Sequence, residues 1–228
     1  MRRSFRKWLV VAALFALAVG GLGVSIWTGL KHRPEFYESL ISVDADRQHQ
    51  TSLEFVSHSV QLRNDIANEP KWEAVFTAAE INSWLAGDLK QEFADQIPNG
   101  VSEPRVRLET DRVTLAFQLD TGTVEPVVWA VASARMTAPN ELALTFEKMR
   151  AGAVPLPFEM IKSRLTEQAK KIGLSVSWSK DGDSPVATIQ LTNSEGSQPV
   201  VLEDLQVADG WLRLAGRSTT KESTSASR

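Results

Sequence analysis

The chain of 228 residues contains no cysteine. This absence excludes disulfides, thiol catalysis, thiolate metal sites and the acyl-cysteine anchor of a lipoprotein. A domain outside the cytoplasm would then depend on packing alone for its stability, and the chain is long enough to bury one core of ordinary size. We therefore expect one folded domain without covalent cross-links.

Acidic residues are missing from the first part of the chain. Residues 1–33 hold six of the 25 basic residues and none of the 28 acidic ones, so the remainder has 19 basic against 28 acidic residues. Its net charge of about −9 makes it a poor partner for nucleic acid and for anionic lipid surfaces. We expect no nucleic-acid partner, and any lipid contact of the domain should be apolar.

Charge of either sign is absent from residues 8–30. A run of this length suits a membrane span, because ~20 apolar residues in a helix cross a hydrocarbon core of ~30 Å. Basic residues beside a first span stay in the cytoplasm, and four of them lie in residues 1–7. The sequence predicts a cytoplasmic segment at 1–7, a transmembrane helix at 8–30, and a C-terminal domain outside the inner membrane of a bacterium.

Alternatives remain open for this segment. Residues 16–18 have the small-x-small pattern of a cleaved signal peptide, although Trp8 and Trp27 are spaced by ~28 Å on a helix and suit the two edges of an intact span. Residues 2–7 resemble a twin-arginine export signal. Small residues spaced by four would allow a homodimer through the span; they are Ala12, Ala16 and Gly20, and Gly21, Ser25 and Gly29.

Residues 31–70 are polar, with apolar residues such as Leu53, Val56 and Val60 at intervals of three and four. This spacing predicts one or two amphipathic helices, which we interpret as a helical stalk docked loosely on the domain. The domain itself is expected at 71–216. Residues 217–228 have almost no apolar side chains and are predicted to form a disordered tail.

Two firmer helices are predicted within the domain. Thr77 and Glu80 have the spacing of a capping box, and an apolar stripe follows to about residue 95. The second helix follows Pro157, which suits a first helical position, and ends at Gly173. The two stripes are Ile81, Trp84, Leu85, Leu89 and Phe93, and Phe158, Ile161, Leu165, Ala169 and Ile172.

The rest of the domain alternates with a period of two, which is typical of antiparallel strands with one buried face. In the clearest case, Val113, Leu115 and Phe117 are expected to be buried. Residues 124–136 are apolar in both parities, so we expect a central strand, and Asp209-Gly210 should join the last two strands in a hairpin. The predicted class is α+β: a transmembrane helix, then two amphipathic helices packed on a curved, mainly antiparallel sheet.

No residue set indicates catalysis. The three histidines are His32 at the membrane edge and His49 and His58, whose separation of nine does not place them together on a helix. No serine has an activating base that the sequence identifies. We expect a non-enzymatic protein without a metal or cofactor.

The order of these elements resembles the DUF2140, or YpmS-like, group of single-span bacterial membrane proteins. The resemblance is carried by residues 76–85, which open the first helix, and by residues 152–157, which lead into the second. It implies an anchored domain of this architecture, and at the level of the fold it is similar to tubular lipid-binding domains.

That similarity predicts that the two stripes line a groove for lipid or another hydrophobic ligand. The candidate residues are Trp84, Leu85, Leu89, Phe93, Phe158, Ile161, Leu165 and Ile172. The alternative is that the stripes form an ordinary core and that the protein is a membrane-tethered scaffold for an envelope or secretion assembly, with a protein partner that the sequence does not identify.

Overall fold

The computed structural model describes residues 25–191 and 200–218. Within these ranges the chain is α+β with a mainly antiparallel arrangement of strands, as the sequence predicts. Residues 25–30 are helical. The following helices are α1 (Glu35–Ile41), α2 (Ala45–Asn68), α3 (Ala78–Glu92) and α4 (Glu159–Lys171), with a 3-10 turn at Ala94–Gln96. The strands are β1 (Lys71–Thr77), β2 (Val101–Glu109), β3 (Arg112–Leu119), β4 (Val127–Ala138), β5 (Glu141–Ala151), β6 (Val154–Pro155), β7 (Ser175–Asp181), β8 (Ser184–Gln190), β9 (Val200–Ala208) and β10 (Trp211–Ser218).

The strands form two sheets, whereas the sequence predicts one. The small sheet has the order β1-β10-β9, and the large sheet has the order β2-β3-β4-β5-β8-β7, with β6 paired to β5. The turns of the β2–β3 and β4–β5 hairpins each donate a backbone hydrogen bond to β9, from Asp111 to Val207 and from Asn140 to Leu202. Strand β9 therefore crosses the hairpin end of the large sheet and does not continue it.

Helix α1 covers one face of the large sheet and changes which residues of β3 are buried. Ala116 is fully buried against Tyr37 of α1, whose hydroxyl donates to the Glu103 carbonyl at 2.8 Å. Leu115 points to the opposite face and is 47% exposed. The prediction that Leu115 is buried is wrong, because the nearest helix packs on the other side of its strand.

Strand β4 is central, as predicted. Its Trp129 ring meets Phe36 of α1 at 5.7 Å on one face. Ala134 packs on the other face, in the cluster of Val106, Leu108 and Val207. Each face of β4 is thus covered over part of its length, which explains why its apolar residues occupy both parities.

Helix α2 is part of the domain, in contrast to the predicted loose stalk. The ring of Phe55 lies 5.3 Å from the ring of Phe76 on β1 and 5.3 Å from that of Trp84 on α3. The helix therefore packs with the Phe55 side inward, and Leu53 and Val60 on its other side are 57% and 54% exposed. Strand β1, which the sequence pattern does not predict, supplies part of the surface that α2 covers.

Helix α3 begins with the predicted capping box: Thr77 Oγ1 accepts from the Glu80 N–H at 3.2 Å, and Glu80 accepts from the Thr77 N–H at 2.7 Å. One turn further, Asn82 binds the free edge of β2. Its Nδ2 donates to the Val106 carbonyl and its Oδ1 accepts from the Val106 N–H, both at 2.7 Å. This pair of bonds fixes α3 to the edge of the large sheet.

The ends of the chain differ in part from the prediction. Asp209-Gly210 joins β9 and β10 as expected. Arg217 and Ser218 belong to β10 and not to a disordered tail, because β1 and β9 extend that far beside them.

Residues 219–228 and residues 1–24, which include most of the predicted span, lie outside the described residues. Among the residues that are described, no helix is long and apolar enough to cross a membrane.

We predict that Asn82→Ala lowers the free energy of unfolding by about 2–4 kcal/mol, since each buried backbone group left unpaired costs about 1–3 kcal/mol and the better helix propensity of alanine offsets only a little. Chemical denaturation of the full-length protein in detergent micelles measures the change. Gln91→Ala, at an exposed position of the same helix, should change stability by less than about 0.5 kcal/mol. Equal losses in the two variants would contradict the assignment.

Candidate functional site

The two predicted stripes lie against the same face of the large sheet. Strand register aligns Val106, Leu115, Ala130 and Met149 across β2, β3, β4 and β5, and residues paired in this way share one face. Beyond a bulge in β5, the same face continues through Phe146 and Leu144 to Ala187 and Trp178. We call this the inner face; α1 packs on the opposite one, near β2, β3 and β4.

Helix α3 lies over the β2 edge of the inner face. Ile81 and Leu85 pack on Val106 and Leu108. Trp84 turns away from the sheet to Phe55 of α2, and its ring meets that of Phe93 at 6.0 Å. Of the remaining candidate residues of this stripe, Leu85 faces the sheet, Leu89 is half-buried, and Phe93, directly after the end of α3, is 36% exposed.

Helix α4 lies over the β7 edge of the inner face. The Phe158 ring is 5.6 Å from that of Phe146 and 5.0 Å from that of Trp178. Trp178 Nε1 also donates to Thr166 Oγ1 at 2.9 Å. The packing leaves α4 without a fully buried residue. The other candidate residues on this helix are Ile161, which is half-buried, and Leu165 and Ile172, which are 36% and 53% exposed.

The structure therefore brings the stripes to one face but packs them on different neighbours. Between them, Leu115 is 47% exposed although β3 has a strand on each side. Ala130 and Met149 continue the apolar surface across β4 and β5. We define the inner-face groove by this floor of Leu115, Ala130 and Met149 and by α3 and α4 as its walls. Sequence alternation groups Leu115 with Val113 and Phe117 on one face of β3 but gives no sign that Leu115 would be exposed.

One end of the groove adjoins the end of the predicted span. The Gly29 carbonyl accepts from the Ala153 N–H at 2.9 Å, in the turn between β5 and β6. A Cβ on Gly152 would lie 2.2 Å from the Gly29 oxygen and 2.9 Å from the Leu30 oxygen. Gly152 also has φ +57°, so both its backbone conformation and the close approach favour glycine. We call this contact the anchor clamp.

A second contact joins α2 to the start of α3. His58 Nδ1 lies 2.6 Å from Glu80 Oε1, and Glu80 is 3% exposed. Burial alone would raise the pKa of Glu80, but the hydrogen bonds from Thr77 and the neighbouring His58 outweigh it and hold the pKa below the ordinary carboxyl value. Asp88 further along α3 accepts from Ser52 of α2. These polar contacts hold α2 on the outer side of the α3 wall.

Ionisable side chains are not gathered into a metal centre in the part of the chain that the structure describes, where no group of three or more such ligands converges. A cavity of about 310 Å³ lies near the anchor clamp and has a polar lining that includes Lys31, Asp120 and Glu125. Because this lining is charged, the cavity is not suited to an apolar chain. The groove remains the best candidate for an apolar ligand.

No family model, no curated protein and no solved structure matches this chain. The resemblance to the YpmS-like group thus stays a prediction that rests on residues 76–85 and 152–157. A function for this chain is therefore inferred from the geometry of the inner face.

We predict that the Glu80 contact makes stability depend on acidic pH. Because folding lowers the Glu80 pKa, its contribution is complete above the unfolded-state value of about 4.3 and is lost as the pH falls through the lower folded-state value. Glu80→Gln should therefore lose less stability than wild type between neutral pH and pH ~3, as measured by denaturation. Glu92→Gln, at an exposed site of the same helix, should show the same dependence of stability on pH as the wild type. A wild-type pH dependence in Glu80→Gln as well would contradict the prediction.

We predict that Gly152→Ala opens the anchor clamp. The added methyl would collide with the Gly29 and Leu30 carbonyls, and amide hydrogen exchange at residues 29–37 should become faster. Gly182→Ala is the matched control, because Gly182 has a similar φ of +59° and nothing within 4 Å of an added Cβ. Comparable exchange in the two variants would mean that backbone strain, and not the clamp, is responsible.

Proposed function

We propose that this protein is a membrane-anchored, non-enzymatic domain that binds the acyl chain of a lipid, or a similar hydrophobic molecule, in the inner-face groove. The observation that carries the proposal is the exposure of Leu115 on an interior strand of an apolar sheet face that has a helix at each edge. Exposed apolar surface in an interior strand is unfavourable in water, and a ligand with an apolar chain would cover it.

Segments outside the described ranges are poor candidates to fill the groove. Residues 192–199 contain no apolar side chain except that of Pro199, and residues 219–228 contain only Ala226. The one apolar segment outside these ranges is the predicted span. The occupant should therefore be a foreign molecule.

The chemistry of the groove supports an uncharged chain over a charged ligand. Its floor has no ionisable group, and the half-exposed parts of its walls are Phe93, Leu165 and Ile172. The net charge of about −9 on the residues after 33 disfavours electrostatic capture of an anionic ligand. We retain the proposals of a single span, a domain outside the cytoplasm of a bacterium, and membership of the YpmS-like group.

A second candidate function, a membrane-tethered scaffold, is favoured by a different observation. Leu53, Val56 and Val60 form an exposed apolar row on α2, with exposures of 57%, 38% and 54%. Such a row suits a protein partner better than a single chain of lipid, because it is convex. It lies on the side of α2 opposite to Phe55 and the inner-face groove.

Photolabelling of the full-length protein in mixed micelles tests the first proposal. The probe is a phosphatidylcholine with a diazirine in its acyl chain, and the label should appear on Leu115, Ala130 or their neighbours, measured as the sum over all tryptic peptides that cover residues 113–135, since Leu115→Arg adds a cleavage site within them. We predict that Leu115→Arg removes most of this label, because the charge would have to be desolvated beneath the chain.

Leu53→Arg provides the control, since it introduces the same side chain at the exposed row of α2. It should leave labelling of residues 113–135 unchanged. Absence of label there in the wild type, or equal labelling after Leu115→Arg, would reject the groove as a lipid site. Loss of a crosslinked protein partner after Leu53→Arg would instead favour the scaffold.

A further inference from the structure

We infer that the groove is loaded directly from the bilayer that holds the anchor, so that its ligand is an acyl chain of a phospholipid from that same membrane. This inference rests on the proposed function. It adds a source for the ligand and a direction of entry, and both follow from how the anchor clamp positions the sheet.

The clamp leaves little freedom between the anchor and the domain. Gly29 is bonded to the β5–β6 turn, Pro34 is buried, and Tyr37 is fully buried on Ala116. The turn is itself tied to β4, because Trp129 Nε1 donates to the Gly152 carbonyl at 3.0 Å. The end of the predicted span is thus attached to one defined end of the large sheet, which we call the proximal end.

Both walls of the groove reach the proximal end. Helix α3 finishes there, since the chain passes from Phe93 to the start of β2, where the Gly100 carbonyl accepts from the Asp120 N–H at 2.8 Å. Helix α4 starts there, because Leu156 just before it bonds to Met149 near the end of β5. Exposed apolar side chains mark these two helix ends: Phe93 is 36% exposed and Met160 is 66% exposed.

The opposite end of the groove is obstructed by the small sheet. Val207 of β9 packs with Val106 and Leu108 in a buried cluster, and β9 is bonded to the turns of both long hairpins. The open end is therefore the proximal one, next to the predicted membrane surface. A chain that entered from there could leave the bilayer without passing through water, which avoids hydration of its methylene groups.

Vesicles distinguish this route from uptake through water. Full-length protein is reconstituted in dioleoylphosphatidylcholine vesicles, with the diazirine phosphatidylcholine placed either in the same vesicles or in separate, protein-free ones. We predict at least tenfold more label on residues 113–135 when the probe shares the vesicle, because the anchor sets a high effective concentration.

Gly152→Ala tests whether the clamp guides entry. It should slow labelling from the shared vesicle several-fold while leaving the final label in mixed micelles unchanged, and Gly182→Ala should match the wild type in both. Equal labelling from shared and separate vesicles would overturn the inference even where micelle labelling supports the groove. No label in micelles as well as vesicles would reject the proposed function itself.

Discussion

The paired hydrogen bonds between Asn82 and Val106 are the constraint on which the other features depend. Strand β2 ends the large sheet, and an unpaired strand edge exposes backbone groups that must find partners. A single amide side chain satisfies both the N–H and the carbonyl of Val106. Because α3 continues directly from β1, the same contact also sets the position of the small sheet.

Placing α3 at the β2 edge determines how much of the inner face remains open. Six strands at a spacing of ~4.8 Å extend over about 24 Å between the centres of β2 and β7. Two helices of ~10 Å diameter at these edges then leave more than 10 Å uncovered between them. The centres of β4 and β5, at about 10 and 14 Å from β2, lie in that interval, whereas β3 with Leu115, at about 5 Å, lies at the margin of the area that α3 covers.

Local signals in the sequence predict local structure well. The capping box of Thr77 and Glu80, the hairpin at Asp209-Gly210 and the helix that ends at Gly173 all depend on residues close together in the chain. Local signals do not predict features that depend on distant segments. The crossing of β9 depends on hydrogen bonds to turns far from it in sequence. The orientation of α2 depends on the packing of Phe55 against Phe76 and Trp84.

For the candidate site, the sequence predicts the stripes but not their relation. Alternation and helical periodicity indicate which side of an element is apolar: they group Leu115 with Val113 and Phe117 on β3, and Leu85 with Ile81 on α3. Whether the apolar side of a strand or helix is buried depends on which other element of the chain packs on it. Tyr37 buries Ala116 on the opposite face, whereas nothing comparable covers Leu115, which is 47% exposed.

In the proposed orientation, the negative charge of the domain explains why a rigid contact such as the anchor clamp would be needed. A net charge of about −9 would repel the domain from an anionic leaflet within a Debye length of about 8 Å, and a flexible linker would let it move away. The short segment after the anchor is fixed at both ends: its start contacts the turn at Gly152, and its end is held by the buried Tyr37. Apolar packing and backbone hydrogen bonds, which salt does not screen, would thereby hold the acidic domain in the proposed orientation, with its groove toward the membrane.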